Sequence, residues 1–145
     1  IDVIKSVADP IFDCEKNEYT FRTLKSLIKA TGKASEIFKN INFELIVTDT
    51  NSPDKDLNII KEILKDSKIR NKVISINLEE FKHKIKDGYS KAKFSNMANY
   101  YNSLLIAKNE EADLIYFVED DYLHSSNSIV EMIFSYEKFN SLFSK

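Results

Sequence analysis

Two rhythms of apolar residues alternate along this chain. Short runs of aliphatic and β-branched residues alternate with stretches in which apolar side chains return every three or four positions. The first rhythm belongs to strands, and an unbroken run belongs to a strand covered on both faces, as in parallel sheets. The second belongs to amphipathic helices. Residues 2–8, Asp-Val-Ile-Lys-Ser-Val-Ala, read as a strand that ends at Asp9-Pro10, because proline removes a ladder donor. A helix from Asn17 to Ala30 places Phe21, Leu24, Leu27 and Ile28 on one face, and Thr31-Gly32 marks its exit. Strand 43–48 is centred on Leu45 to Val47 and runs into Asp49-Thr-Asn-Ser-Pro53. There Ser52 reads as an N-cap and Pro53 as the first helical residue. The helix behind it buries Leu57, Ile60, Ile63 and Leu64, and a third strand covers 72–77. Ser95 to Asn109 reads as a helix with Met97, Tyr101, Leu104 and Leu105 as its buried stripe. A fourth strand covers 114–118, and a last helix runs from about Asn127 to Phe139 with Ile129, Met132, Ile133 and Tyr136 inward. This alternation predicts one domain over 1–145: a three-layer α/β/α fold with a mostly parallel sheet and right-handed crossovers.

The pattern is organised around Asp113-Leu-Ile-Tyr-Phe-Val-Glu-Asp-Asp-Tyr-Leu123. Its apolar run predicts a strand buried on both faces, and it stops against Glu119, Asp120 and Asp121. Three adjacent carboxylates repel one another unless solvent, donors or a cation offset the repulsion. Ligands of open α/β sheets bind outside the carboxyl ends of the strands. A hard-cation site at the lip of the sheet is therefore expected, with a solvated turn as the plainer alternative. Helix capping does not explain these acids, because Ser125, Ser126 and Asn127 stand closer to the next helix. Asp9 and Asp49 stand at two further strand ends; Asp9 reads equally well as a turn residue before proline. Asn96, Asn99 and Asn102 recur at helical spacing and face either a polar ligand or solvent.

Composition narrows the chemistry. A net charge of −2 argues against a nucleic-acid partner. Two glycines in 145 residues leave no Gly-rich phosphate loop, so a bound phosphate would need a metal held by carboxylates. The single Cys14 excludes an internal disulfide and a Cys-rich zinc site. No apolar run has the length of a transmembrane helix. Residues 78–94 carry Lys82, Lys84, Lys86, Lys91 and Lys93 among Phe81, Tyr89 and Phe94, which reads first as a solvated basic face and second as an approach to a diphosphate. His83 and His124 read as exposed loop histidines.

Three segments resemble the GT-A glycosyltransferases, most closely the family-2-like inverting group. Ile46-Val-Thr-Asp-Thr-Asn-Ser52 and the helix behind it look like the family's strand-D-D-G-S segment. The Asn-bearing helix ending Leu-Leu-Ile-Ala107 looks like the helix before its acid strand, and Tyr116-Phe-Val-Glu-Asp-Asp121 looks like its D-x-D motif in an E-D-D form. With the first strand, the resemblance spans nearly the whole chain. It implies a Rossmann-like nucleotide-diphospho-sugar transferase half in which Asp9 and Asp49 line the base pocket. Asp120 would contact the ribose, Glu119 would support it or the metal's water shell, and Asp121 would coordinate Mn²⁺ or Mg²⁺ on the diphosphate. Asn99 and Asn102 would add polar contacts to the nucleotide sugar.

Two departures stand out. The second acid of D-D-G-S is absent, and Asn51 replaces glycine, which it can do because Asn tolerates positive φ. The chain also ends about two dozen residues past the acids, so the general base and the site for a glycan, lipid or protein acceptor are expected beyond residue 145. The resemblance implies a cytoplasmic protein, or one peripheral to a membrane. The apolar end at Phe139, Leu142 and Phe143 suggests cover by a missing half or a second copy. Two other readings fit less well. A sugar nucleotidyltransferase needs a Gly-rich basic loop after the first strand. A non-catalytic signalling module of the receiver type needs an acid pair there and a phosphoacceptor Asp after the third strand, where Asn77-Leu78 stands.

Overall fold

The structure, a computed structural model, describes residues 15–84 and 88–143. The strand expected over 2–8, and with it Asp9 and Cys14, lies outside the described residues, as does Lys86. The chain is mixed α/β: α1 (Lys16–Ile37), β1 (Glu44–Asp49), α2 (Asp54–Lys65), β2 (Arg70–Ser75), a 3-10 turn (Leu78–Phe81), α3 (Lys91–Asn109) and α4 (Ser128–Phe143). Among the described residues the sheet has two strands, β1 and β2, paired in parallel from Glu44↔Arg70 to Asp49↔Ser75. β1–α2–β2 is thus a crossover unit, and the third strand begins two residues earlier than its apolar pattern suggests.

Helix α1 organises the core. Phe21 and Leu24 pack with Ile60 and Leu64 of α2, over Leu45, Val47 and Val73 of the two strands. Leu27, Ala30, Ala34 and Phe38 pack with Ile129, Val130 and Ile133 of α4, and Leu45 and Val118 close that cluster. Gly32 does not end α1, which continues to Ile37 with Ala30 and Ala34 wholly buried. Ala30 and Ala34, two small residues one turn apart, let α4 approach the helix closely, and that packing outweighs the local cost of glycine, about 1 kcal/mol. Successive strand residues point to opposite faces. Leu45 and Val47 therefore meet α1 and α2, whereas Thr48 points away from them, and its Oγ1 lies 3.2 Å from Ser103 Oγ of α3.

Four expectations change. Helix α2 starts at Asp54, with Pro53 rather than Ser52 at the cap position and no side-chain cap bond. The stripe expected on α3 is not buried: Met97, Tyr101 and Leu104 are exposed, and Ala98 is the residue that packs fully. Apolar residues are spread around this helix, from Met97 through Tyr100, Tyr101 and Leu104 to Ile106, so no single face dominates; it meets β1 through polar contacts. On α4 Val130 is buried, whereas Tyr136, expected inward, is exposed. The fourth change concerns the organising segment. Residues 114–118 have no regular secondary structure and join no ladder among the described residues. Leu114, Ile115, Tyr116 and Phe117 are 40–49% exposed, and only Val118 reaches the core. A run of apolar side chains becomes a buried strand only beside a neighbouring strand, and β1 and β2 pair with each other.

One ionic cluster ties the sheet to α3. Lys72 on β2 donates to Glu110 at the end of α3 at 2.8 Å and lies 3.6 Å from Glu44 on β1. Its hydrogen bond to Glu110, reinforced by the charges of Glu110 and Glu44, holds the ammonium above the ordinary lysine value of 10.5 against the opposing effect of desolvation.

Candidate functional site

Asp49 is the last residue of β1, and its carbonyl still accepts from Ile76 N at 2.7 Å. Its carboxylate was expected to be free for a ligand. Instead it turns back on its own loop, accepting from Asn51 N at 3.3 Å and from Ser52 N at 3.2 Å. Asn51 sits at φ +142°, the positive-φ position that the sequence pattern assigns to it. The carboxylate therefore shapes the turn between β1 and α2. A carboxylate has roughly four acceptor positions, so Asp49 keeps capacity for an outside donor.

The acid triplet is held by the first turns of α1. Thr20 Oγ1 donates to Asp120 Oδ2 at 2.9 Å, and Asn17 Nδ2, one turn earlier, donates to Asp56 Oδ1 of α2 at 3.0 Å. Residues three apart on a helix are neighbours, with Cβ atoms about 5–6 Å apart. The first turns of α1 thus gather Asp120 and the start of α2, just past the Asp49 loop, at one edge of the molecule. Glu119, Asp120 and Asp121 are all exposed, so solvent screens their mutual repulsion. Further along α1, Ser26 Oγ accepts from His124 N at 3.0 Å, which fixes the chain after the triplet. His124 is half-buried rather than exposed; its Nε2 lies 3.2 Å from the Tyr116 hydroxyl. Tyr116, Phe117, Val118, Glu119 and Tyr122 line an open cavity of about 280 Å³.

Helix α3 brings a third group to the Asp49 loop. Ser90 caps it by accepting from Lys93 N, and Ser95 Oγ donates to Thr50 Oγ1 at 2.8 Å. Asn99 Nδ2 approaches the Thr48 carbonyl at 3.4 Å, so its amide is turned to β1; Asn102 is half-buried. Lys82, Lys84, Lys91 and Lys93 are exposed, in keeping with a solvated basic face, and Lys84 lies over the rings of Phe81 and Tyr101.

Comparison with protein-family models, with curated proteins and with solved structures finds no match to this chain. The site therefore has to be judged on its own atoms. No group of three or more His, Cys, Asp or Glu side chains converges on one point among the described residues. A closed, all-protein cation cage is thus not formed by them. A hard cation can also be held by one or two carboxylates together with phosphate oxygens and water. Asp121 and Glu119 are exposed, and Asp120 uses one oxygen on Thr20 and keeps the second.

The anchors Asn17, Thr20 and Ser26 did not stand out at first sight. With Thr23 they form a polar row of period three along α1, beside the apolar row of Phe21, Leu24, Leu27 and Ile28. That row is legible in the sequence, but its partners are not: Asp56 lies 39 residues from Asn17, Asp120 lies 100 from Thr20 and His124 lies 98 from Ser26.

Proposed function

We propose that this chain is the donor-binding part of a metal-dependent glycosyltransferase of the inverting GT-A type, built on a three-layer, Rossmann-like half. One observation carries the reading. The loop that closes β1 at Asp49 and the acids that close segment 114–118 lie at the same edge, joined through Asn17 and Thr20 of α1. That edge is the carboxyl end of the parallel strands, where such folds bind their ligands.

In this reading the Asp49 carboxylate, held in place by two backbone amides, accepts from the nucleotide base. Asp120, oriented by Thr20, accepts from a ribose hydroxyl with its remaining oxygen. Glu119 supports the ribose from the cavity wall. Asp121 coordinates Mn²⁺ or Mg²⁺, which when bound offsets the charge that develops on the nucleoside diphosphate leaving group. Asn102 and the amide of Asn99 are a second line of polar contacts behind the Asp49 loop. The sugar passes to a glycan, lipid or protein acceptor. A cytoplasmic or membrane-peripheral setting belongs to the same proposal. Among the described residues no helix is long and apolar enough to cross a membrane.

Thermal unfolding tests the reading. The chain and its Asp121→Asn variant are melted with Mn²⁺ and, in turn, uridine, guanosine, cytidine, adenosine and thymidine diphosphates. A ligand at about a hundred times its dissociation constant adds roughly 2.7 kcal/mol, a shift of roughly 5–10 °C for a domain of this size. The expected result is such a shift with one nucleotide, dependent on metal and lost in Asp121→Asn. A flat response to all five overturns the reading.

A further inference from the structure

The two ring nitrogens of His124 meet different surroundings. The residue is pinned to α1 by its backbone: its N–H donates to Ser26 Oγ at 3.0 Å, and that hydroxyl donates to the Thr23 carbonyl at 2.8 Å. Nε2 then lies 3.2 Å from the Tyr116 hydroxyl, with the two rings edge to face at 81°. Nδ1 is buried and has no hydrogen-bond partner among the described residues. In a neutral imidazole one nitrogen carries the proton and the other accepts, and their partners decide which. A proton on Nδ1 would make a buried N–H with nothing to receive it, at the full cost of an unmet donor. A bare Nδ1 leaves only a lone pair unmet, and buried acceptors without a partner are tolerated more often than buried N–H groups. The proton therefore sits on Nε2, which donates to Tyr116 Oη.

This direction decides what Tyr116 offers. Its oxygen accepts that bond, so its own O–H is free to donate, and among the described residues the hydroxyl has no partner besides His124. Tyr116 lines the open cavity of about 280 Å³ together with Phe117, Val118, Glu119 and Tyr122. The cavity wall thus pairs a donor, Tyr116, with an ionised acceptor, Glu119, between aromatic faces. That set suits a sugar ring: one ring hydroxyl accepts from Tyr116, another donates to Glu119, and the C–H face lies on an aromatic face. It does not suit a phosphate, whose charge Glu119 repels. The volume falls just under the roughly 300–1,000 Å³ of sites for drug-sized ligands, which fits a single ring. We propose that Tyr116 is a sugar-binding residue of this cavity, and that His124 is the positioning residue that turns the Tyr116 hydroxyl proton to the ligand. Whether the ring is the ribose or the hexose of a nucleotide sugar rests on the donor-binding reading above; the orientation of the hydroxyl does not.

The full chain, labelled with ¹³C and ¹⁵N, tests both parts. Long-range ¹H–¹⁵N spectra of the unliganded protein at about pH 8.5, above the ordinary imidazole range, tell a protonated ring nitrogen from a bare one. His124 is expected to carry its proton on Nε2; a proton on Nδ1 overturns the proposal. The probes are the methyl glycosides of glucose, galactose and N-acetylglucosamine, and uridine and guanosine diphosphates with Mg²⁺. Each is titrated while the ring signals of Tyr116 and Tyr122 are followed. At least one probe should shift both rings, a glycoside marking a hexose and a nucleotide a ribose as the occupant. Tyr116→Phe should weaken that probe roughly three- to tenfold, the worth of one hydrogen bond, with little change in Tm. His124→Phe should weaken it to a similar degree, and His124→Gln, whose amide can donate in place of Nε2, should recover most of the loss. Undiminished binding in Tyr116→Phe, or no probe that shifts both rings, overturns the proposal. Glycoside binding without nucleotide binding would keep the cavity and remove the glycosyltransferase reading. Nucleotide binding that needs Asp121 and ignores Tyr116 would do the reverse.

Discussion

Gly32→Ala separates two accounts of α1. The apolar rhythm with Thr31-Gly32 reads as a helix that ends there, and a glycine at such an end adopts the left-handed conformation. In the structure Gly32 lies inside α1, five residues before its end, and its φ is not positive. A Cβ built on it meets nothing within 4 Å, so the methyl enters without strain although Ala30 and Ala34 on either side are wholly buried. The gain is then the helical preference of Ala over Gly, about 0.8–1 kcal/mol, much of it from the reduced freedom of the unfolded chain. With a urea slope of about 2 kcal/mol/M this moves the midpoint upward by roughly 0.5 M. Urea titration followed by helical circular dichroism measures it. Gly88→Ala is the control, because Gly88 sits at φ +92° and alanine there is strained, so its midpoint should fall. If Gly32→Ala falls as Gly88→Ala does, α1 ends at Gly32 and the packing of its last turns against α4 is wrong.

Other outcomes follow from the same contacts. Leu64, 2% exposed among Phe21, Leu24 and Ile60, should cost about 2–5 kcal/mol when replaced by alanine; a loss below about 1 kcal/mol in urea would mean that the α1–α2 cluster is not packed as described. The Lys72 cluster makes stability depend on alkaline pH. Because its folded value is raised, its contribution is fully present below the ordinary value of 10.5 and fades as pH rises through the folded value. The difference in urea midpoint between the wild type and Lys72→Gln should therefore shrink on alkaline titration; a difference that grows would reverse the assigned direction.

How far the sequence carried the reading varied with the range of the interactions. β1, α2 and β2 were legible to within a few residues because their signals are local: an aliphatic run, a proline stop and a 3.6-residue rhythm. The Asn51 turn was legible for the same reason, since asparagine in place of glycine marks a positive φ. The length of α1 was not, because what carries the helix through Gly32 is α4, which lies far along the chain. The exposure of 114–118 was missed because an apolar run states that a segment can be buried, not what covers it. Of the acids, Asp49 was placed at the right strand end, but its bonds to the amides of Asn51 and Ser52 were not foreseen. A carboxylate two residues before an amide at positive φ satisfies its own turn first. The link from Thr20 to Asp120 had no local signal at all.

The reach of α1 has a kinetic side. Its partner α2 belongs to a unit whose strands pair residues 26 apart in sequence, Glu44 with Arg70. Its other partners are far more distant: Lys33 meets Asn127 across 94 residues, Ser26 meets His124 across 98, and Thr20 meets Asp120 across 100. Closing the longer loops costs roughly 1 kcal/mol more entropy than closing the shorter. The unit made from α1, β1, α2 and β2 can therefore assemble as soon as residue 75 has left the ribosome, whereas the docking of α4 on Ala30 and Ala34 must wait until α4, Ser128–Phe143, has emerged. Until then α1 presents an uncovered stripe of small and apolar side chains, and transiently exposed apolar surface of this kind favours aggregation during synthesis.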